Sequence, residues 1–563
     1  MIRRNFIPVF VLLACAAILS CGPAPAWIDG EALIFDPDWI VEVNIQLDEE
    51  DWDELRYQTR SFEDVLCATT PPVNPFTYFK GDIVIDGIKV KDVGIRKKCF
   101  FGSCDDNRPS FKISFNQYIR GRRFFGLRRM TLNNAKSDPS KVKQCLGYWL
   151  FDRGGVPAPR CNFAHVTVNG VDKGLYVNLE SIKTEMLARY FDDTRGNLYE
   201  GALSDFQPDW VATFQKKTNE INPDRSDLDE MVNVCALPDD EFVDELERHI
   251  DLDAYYDFWV MEVLIAHWDG YASFNHNNYY IYNNPETGRF HFFPWGIDGI
   301  LFSHPDAVKS VFADAIIPHR LYKIPEMQDR YINLLREKLA TVWNQDVIVS
   351  EIGRMESLIS PYVHVNDTYD LPGRIDEVRN FVRDNPDAIN AEIASGPVEW
   401  EKELSGPPCW RLRGSLNASF STTWGSITSP DPWGAGTGTF SAVLDELPIP
   451  TSFVSSVAGI DPNPEGQRKP LVQVLAQVPD PAGDLLIAAI VQINDPQSIA
   501  PGHFVQINMG EALGYIFRQD PLNPEAFEIF LLMDGSITFQ EAALTDGAPI
   551  SGTIEANIRE SGW

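Results

Sequence analysis

The sequence is short of positive charge: 48 lysines and arginines stand against 81 aspartates and glutamates in 563 residues, a formal net charge of −33. That balance argues against a nucleic-acid surface, which needs a clustered basic footprint to neutralise phosphates. It equally argues against a polybasic membrane patch. Metal-binding punctuation is also missing. There is no CxxC pair, and the nine histidines form no cluster with zinc spacing, which argues against a structural zinc. Beyond the first twenty residues no apolar run reaches membrane length, and no internal repeat of fixed period is present.

What remains is ordinary globular composition, 44% hydrophobic and 23% charged, long enough for two or three domains. "MIRRNFIPVFVLLACAAILSC" has two arginines, a short apolar run and then small residues, the layout of an export signal. Ile18-Leu19-Ser20-Cys21 resembles a bacterial lipobox, so residues 1–21 are expected to be a lipoprotein signal with Cys21 as the lipidated residue; cleavage of an ordinary signal near Ala26 is the alternative. Gly22 after that cysteine, with no aspartate, agrees with sorting to an outer membrane. The expected location is therefore the bacterial cell envelope, at the outer membrane or in the periplasm, with membrane contact only through the lipid. Seven cysteines lie beyond the signal. Export permits disulfides, and Cys99 and Cys104, bracketing "FFGS", could close a small loop, but spacing does not fix connectivity.

Period-two alternation marks strands in "WIVEVNIQL", "GDIVIDGIKVKDVGIRKK" and "SFKISF", with Asp86-Gly87 and Asn169-Gly170 as hairpin turns. Helical period appears at 138–152, and "LDAYYDFWVMEVLIAHW" reads as a buried helix that delivers Asp269 at or just past its end. From about residue 405 charges thin out and short strands such as "LVQVLAQV" and "LLIAAIVQI" recur between Gly, Ser and Pro, the pattern of an all-β sandwich or barrel. The expected fold is thus α+β, a two-lobe kinase-like core followed by a β-sandwich-like domain over 405–563. Fold pattern alone leaves an adhesin or scaffold open.

From about 37 to 400 the chain resembles the CotH kinase family, the spore-coat-protein-H-like atypical kinases. The resemblance runs through "SFKISF", "MTLNNAKSDPSKVKQCLGYWLFDRGGVPAPRCNFAHVTVNGVDKGLYVNLE", "GNLYEG", "HNNYYIY" and "FFPWGID", in order. It implies an atypical kinase that uses ATP and Mg2+ or Mn2+ to phosphorylate serine or threonine of a protein substrate. Such chemistry needs a lysine on the phosphates, oxygen ligands on the metal and an acidic group near the hydroxyl. Lys112 alternates with Phe111 and Ile113 and matches the phosphate-contacting lysine; Arg96 and Lys97 on the preceding strand are weaker candidates. Asp269 matches the catalytic aspartate. Asp298 and Asn278, with Asn275 second, match the metal ligands, since carboxylate and carboxamide oxygens suit a hard cation; because the segment then becomes a strand, Asn277 and Asn278 should point to opposite faces and cannot both coordinate easily. Two departures weaken activity. Gly296 stands where the family's "PWDxD" segment has its first aspartate, and Gln144 stands where a glutamate would pair the lysine. Glu180 is placed near the nucleotide by resemblance, with an ion pair to Lys173 or Arg160 as the alternative. Together Gly296 and Gln144 keep open a catalytically inactive, anchored scaffold.

Overall fold

The computed structural model describes residues 34–561 apart from short internal segments (61–69, 72, 101–102, 303–306, 364–369, 405, 407–409, 463–468, 482–483, 508–510 and 521–522). The lipidation candidate Cys21 lies outside the described residues, as does Cys409. Among the described residues no helix is long and apolar enough to cross a membrane.

The alternating stretches form seven strands: β1 (Ile40–Gln46), β2 (Phe79–Ile85), β3 (Ile88–Lys98), β4 (Ser110–Ser114), β5 (Arg129–Asn133), β6 (Cys161–Val168) and β7 (Val171–Leu179). They close into a barrel in the order β1-β2-β3-β4-β5-β7-β6, sealed by parallel pairing of β1 with β6. Both hairpin turns use left-handed pairs, Asp86 and Gly87 at φ 45° and 81°, Asn169 and Gly170 at 50° and 79°, the geometry that matches strand twist. Inward-pointing Val43, Ile83, Ile95, Phe111, Ile113 and Val166 fill the barrel. Period two then forces Arg96 and Lys98 of β3 and Lys112 of β4 to the outer face, where Lys112 sits opposite Arg96 on one side and Thr131 on the other.

The helix Lys143–Arg153 follows β5, and disulfide Cys145–Cys161 ties it to β6. A second disulfide, Cys99–Cys104, closes the loop after β3. Gly147 of the helix leaves room for Ile297 and Ile300, whose side chains would lie 2.7 and 2.5 Å from a Cβ there. This close approach seats the turn that carries Asp298.

A second sheet has the order β11-β10-β8-β9, where β8 is Leu198–Gly201, β9 Gln215–Lys216, β10 Tyr279–Asn284 and β11 Arg289–Pro294. Against it packs the helix Leu252–Leu264, buried without a break from Phe258 to Leu264. Helices spanning Ile316–Lys323, Pro325–Thr341, Gln345–Ile359 and Leu371–Glu392 complete this helical region around one large core.

Ten strands between Trp410 and Ser561 form the C-terminal region. They make one continuous hydrogen-bonded sheet, whereas a sandwich has two separate facing sheets. The end of strand Trp410–Thr423 reaches strand Phe453–Ile460 through a bridge from Trp424 to Ala458, so the sheet curls around its own core.

Candidate functional site

The loop after the helix Leu252–Leu264 is built around one buried acid. Glu262, the only charged residue in "FWVMEVLIA", accepts hydrogen bonds from the backbone N–H of Tyr271 and Ala272, both at 2.9 Å, and lies 3.2 Å from His267 Nδ1. A buried carboxylate is costly unless its lone pairs are satisfied; here three partners satisfy it, and the turn holding Asp269 is pinned as a result.

Asp269 is the focus of the asparagine loop. Asn275 Nδ2 donates to its Oδ1 at 2.7 Å, and Asn278 and Asn277 donate to its Oδ2 at 2.5 and 3.5 Å. The alternation expected of Asn277 and Asn278 does not occur, because β10 begins only at Tyr279 and both His276 and Asn278 take left-handed backbone angles, φ 43° and 53°. Burial, only partly countered by the Asn275 amide, raises the Asp269 carboxyl to about 6, and the charge of Asp298 adds to the rise.

Asp298 lies in the Gly296–Ile300 turn and is half-buried. Burial raises its proton affinity as well, against the pull of Lys98 and His267. Gly296 is at φ 53°, and a Cβ on it would lie 2.1 Å from Asn278 Oδ1. In this chain the Asn278 carboxamide therefore fills the space that any side chain at 296 would start from.

The outer barrel face supplies the positive charge. Lys112 is held well below the usual lysine range by burial, with Arg96, Lys217 and Lys98 adding repulsion that Glu200 opposes. Glu200 of β8 forms an ion pair with Lys217 and bonds Tyr280. Burial would raise its carboxyl, yet Lys217 and Lys112 win and bring it to about 2. Lys98 also covers the Trp295 ring at 5.4 Å. Lys97 points the other way, to Asp106 at 2.7 Å. A cavity of about 310 Å³ adjoins this row, lined by Arg128, Arg129, Lys183 and Lys217 with Ser181 and Thr218 among its hydroxyls.

Gln144 is buried beside the Tyr148 hydroxyl, which also meets the Gly296 backbone; the acid acting on Lys112 is Glu200. Glu180 lines the 310 Å³ cavity while paired to Arg160 at 2.9 Å and to Arg189. The structure thus gathers Asp269, Asn275 and Asn278 in one cluster, couples Asp298 to it electrostatically, and sets Lys112 among other cations. Glu200, Lys217, Lys98 and Glu262 were not assigned roles from sequence. Lys98 shares the face of Arg96 by period two, and an acid inside an apolar helix marks Glu262; Glu200 and Lys217 carry no such local signal. Among the described residues no three His, Cys, Asp or Glu side chains gather closely enough to enclose a metal ion by themselves.

The sequence profile of the CotH kinase protein family matches residues 100–385, just over half of the chain. The chain belongs to the CotH family. Inner spore coat protein H of Bacillus subtilis (strain 168) is 25% identical over 303 residues, covering 51% of this chain and 80% of that protein. An inner spore coat protein H-like protein of the same organism is 21% identical, covering 49% and 85%. Invasin CotH3 of Rhizopus delemar is 24% identical over 203 residues, 33% of each chain. The CotH match spans the barrel strands from β4 onward, the asparagine loop and the Asp298 turn, and it ends before the C-terminal sheet.

Proposed function

We propose that this CotH-family chain is an atypical extracytoplasmic protein kinase that transfers the γ-phosphate of ATP to serine or threonine of a protein substrate. The barrel serves as the nucleotide-covering lobe and the helical region as the catalytic lobe, a kinase-like division of labour. The observation that carries the reading is the juxtaposition of Lys98, on the cationic row with Lys112, and Asp298, each within the other's electrostatic reach. Lys112, desolvated by burial and set beside Arg96, Lys217 and Lys98, calls for an anion, and a triphosphate provides one.

A divalent cation fits the acidic side. Asp298 raises the proton affinity of Asp269, and such mutually repelling carboxylates gain from an added positive charge. Mg2+ characteristically takes one or two carboxylates and completes its shell with phosphate oxygens and water. Asp298 and the carboxamides of Asn278 and Asn275 would hold it; bound there, Mg2+ or Mn2+ supplies neutralisation of the triphosphate. Lys112, Lys98 and Lys217 orient the phosphates. Asp269, fixed by the asparagine donors, accepts the proton of the attacking hydroxyl. Export with a lipid at Cys21 places this activity in the cell envelope, in keeping with the spore-coat names of two relatives.

The test is phosphate transfer by the purified full chain with ATP and Mg2+ or Mn2+, alongside metal-dependent thermal stabilisation by ATP. Asp298→Ala should lose both stabilisation and transfer, whereas Asp269→Ala should keep stabilisation and lose transfer by about 10²-fold or more. A wild-type protein that neither transfers phosphate nor is stabilised by ATP with either metal refutes the kinase reading in favour of a binding scaffold.

A further inference from the structure

The C-terminal sheet lies outside the family match, yet it touches the asparagine loop through a short chain of buried side chains. On strand Asn523–Glu541, Phe530 and Leu532 point into the sheet's own core. Met533 points the opposite way and is nevertheless fully buried. It is covered by Leu203 and Trp210 of the helical region, with Phe100, Trp410 and Leu531 at the margin. The ladder to the last strand shifts register between Met533 and Ser536, and such an irregularity re-aims a strand's side chains.

Trp210, itself fully buried, carries the contact onward. Its ring centroid lies 4.6 Å from that of His276. The same segment grips the loop backbone, since Ser204 N–H donates to the His276 carbonyl at 3.0 Å and the Tyr279 hydroxyl donates to the Ser204 carbonyl at 2.7 Å. His276 sits in the left-handed region at φ 43°, between Asn275 and Asn277, two of the three amide donors to Asp269. A non-glycine residue stays in that conformation only where its surroundings hold it. The Trp210 ring, the Ser204 amide and the Tyr271 carbonyl, 3.2 Å from His276 Nδ1, are those surroundings, and Met533 shares the buried cluster of Trp210 and Leu203.

We propose that Met533 and Trp210 are positioning residues for the asparagine clamp on Asp269, so that the C-terminal sheet is a working part of the catalytic unit. This rests on the kinase reading for its catalytic consequence, but the mechanical coupling stands apart from it. Removing the Met533 side chain opens space under Trp210, frees the His276 ring and loosens the donors that aim Asp269. Misplacement of a reacting group by about 1 Å costs on the order of 10²-fold in rate.

The experiment uses full-length Met533→Ala, Met533→Leu and Trp210→Leu, with two readouts. Hydrogen exchange follows the amides of His276 and Asn277, which donate to the Ser273 and Gly270 carbonyls; transfer kinetics give kcat and KM for ATP. In Met533→Ala these amides should exchange about 10-fold faster, and kcat should fall by about 10-fold or more with KM changed by less than about 3-fold. Met533→Leu, which keeps the volume, should restore both. Wild-type exchange at His276 and Asn277 in Met533→Ala and Trp210→Leu alike overturns the coupling. Faster exchange with unchanged kcat overturns the positioning role. Faster exchange in a protein whose wild type transfers no phosphate supports the coupling and overturns the kinase reading.

Discussion

Asp269→Asn is expected to make the protein more stable and inactive at once. The Asp269 carboxyl titrates at about 6 in the fold against an ordinary 3.8. A native affinity for protons above the unfolded one means that the folded state binds more protons between about pH 4 and pH 6, so stability falls as pH rises through that window and then levels off. At about 1.4 kcal/mol for each unit of pKa, the ceiling is about 3 kcal/mol. Partial exposure of Asp269 screens that charge, and we expect about 1–2 kcal/mol of the cost to be real. The Asn275 and Asn278 amides already offset part of the burial within this figure. An asparagine at 269 carries no charge but has one acceptor oxygen where Asp269 has two, so Asn275 or Asn278 must turn its carboxamide to accept from the new NH2; with that turn made, the variant should exceed wild type by about 1–2 kcal/mol in urea unfolding at pH 8 and by progressively less toward pH 4. Chelator is required throughout, because a bound divalent cation would erase the repulsion from Asp298. In wild type the acid limb of the transfer rate should fall below pH 6, because the divalent cation that transfer requires removes the Asp298 repulsion that helps raise Asp269. A variant no more stable than wild type at pH 8, or a difference that does not change with pH, refutes the claim that burial strains this carboxylate.

Glu200→Gln removes the acid that offsets Lys112 and Lys217. Transfer should drop by about 10-fold or more, and stability by about 3 kcal/mol as two crowded cations lose their partner; urea unfolding and a transfer assay read the two effects. Gly296→Ala should cost about 1–3 kcal/mol through its left-handed backbone and its collision with Asn278. Added Mg2+ and ATP should stabilise that variant less than wild type if the displaced Asn278 serves the metal.

The parts of this molecule legible in sequence are those fixed by local period. Alternation in "SFKISF" sets Phe111 and Ile113 inward and Lys112 outward, and the Asp-Gly and Asn-Gly pairs mark both hairpins. The Cys99–Cys104 bridge was readable as a possible loop closure; Cys145–Cys161 was not, because spacing cannot choose among seven cysteines. Barrel closure was hidden, since β1 and β6 are separated by more than a hundred residues. Alternation misleads at Asn277 and Asn278 because left-handed residues delay the strand and turn both carboxamides onto Asp269. The acid beside Lys112 escaped for a different reason. Gln144 was matched by its place on a helix, whereas Glu200 reaches the lysine from another sheet, a tertiary fact with no signature in spacing.

An acidic protein with a cationic cleft is not a contradiction, because the two kinds of charge act at different range. Among the described residues most carboxylates are at least partly exposed to water, where salt screens them within about 8–10 Å. They do not compete for a ligand that enters the space between barrel and helices. Inside, Lys112, Lys98, Arg96 and Lys217 are only partly solvated, and low polarizability lengthens the reach of each charge. Glu200 is a single carboxylate against these four cations and offsets only part of the row. The net charge that argues against an extended basic footprint therefore says nothing against a small polyphosphate site. Under the proposed kinase reading the surrounding negative field adds a further selection, since an acidic acceptor segment would be repelled from the rim while the cleft would hold the nucleotide.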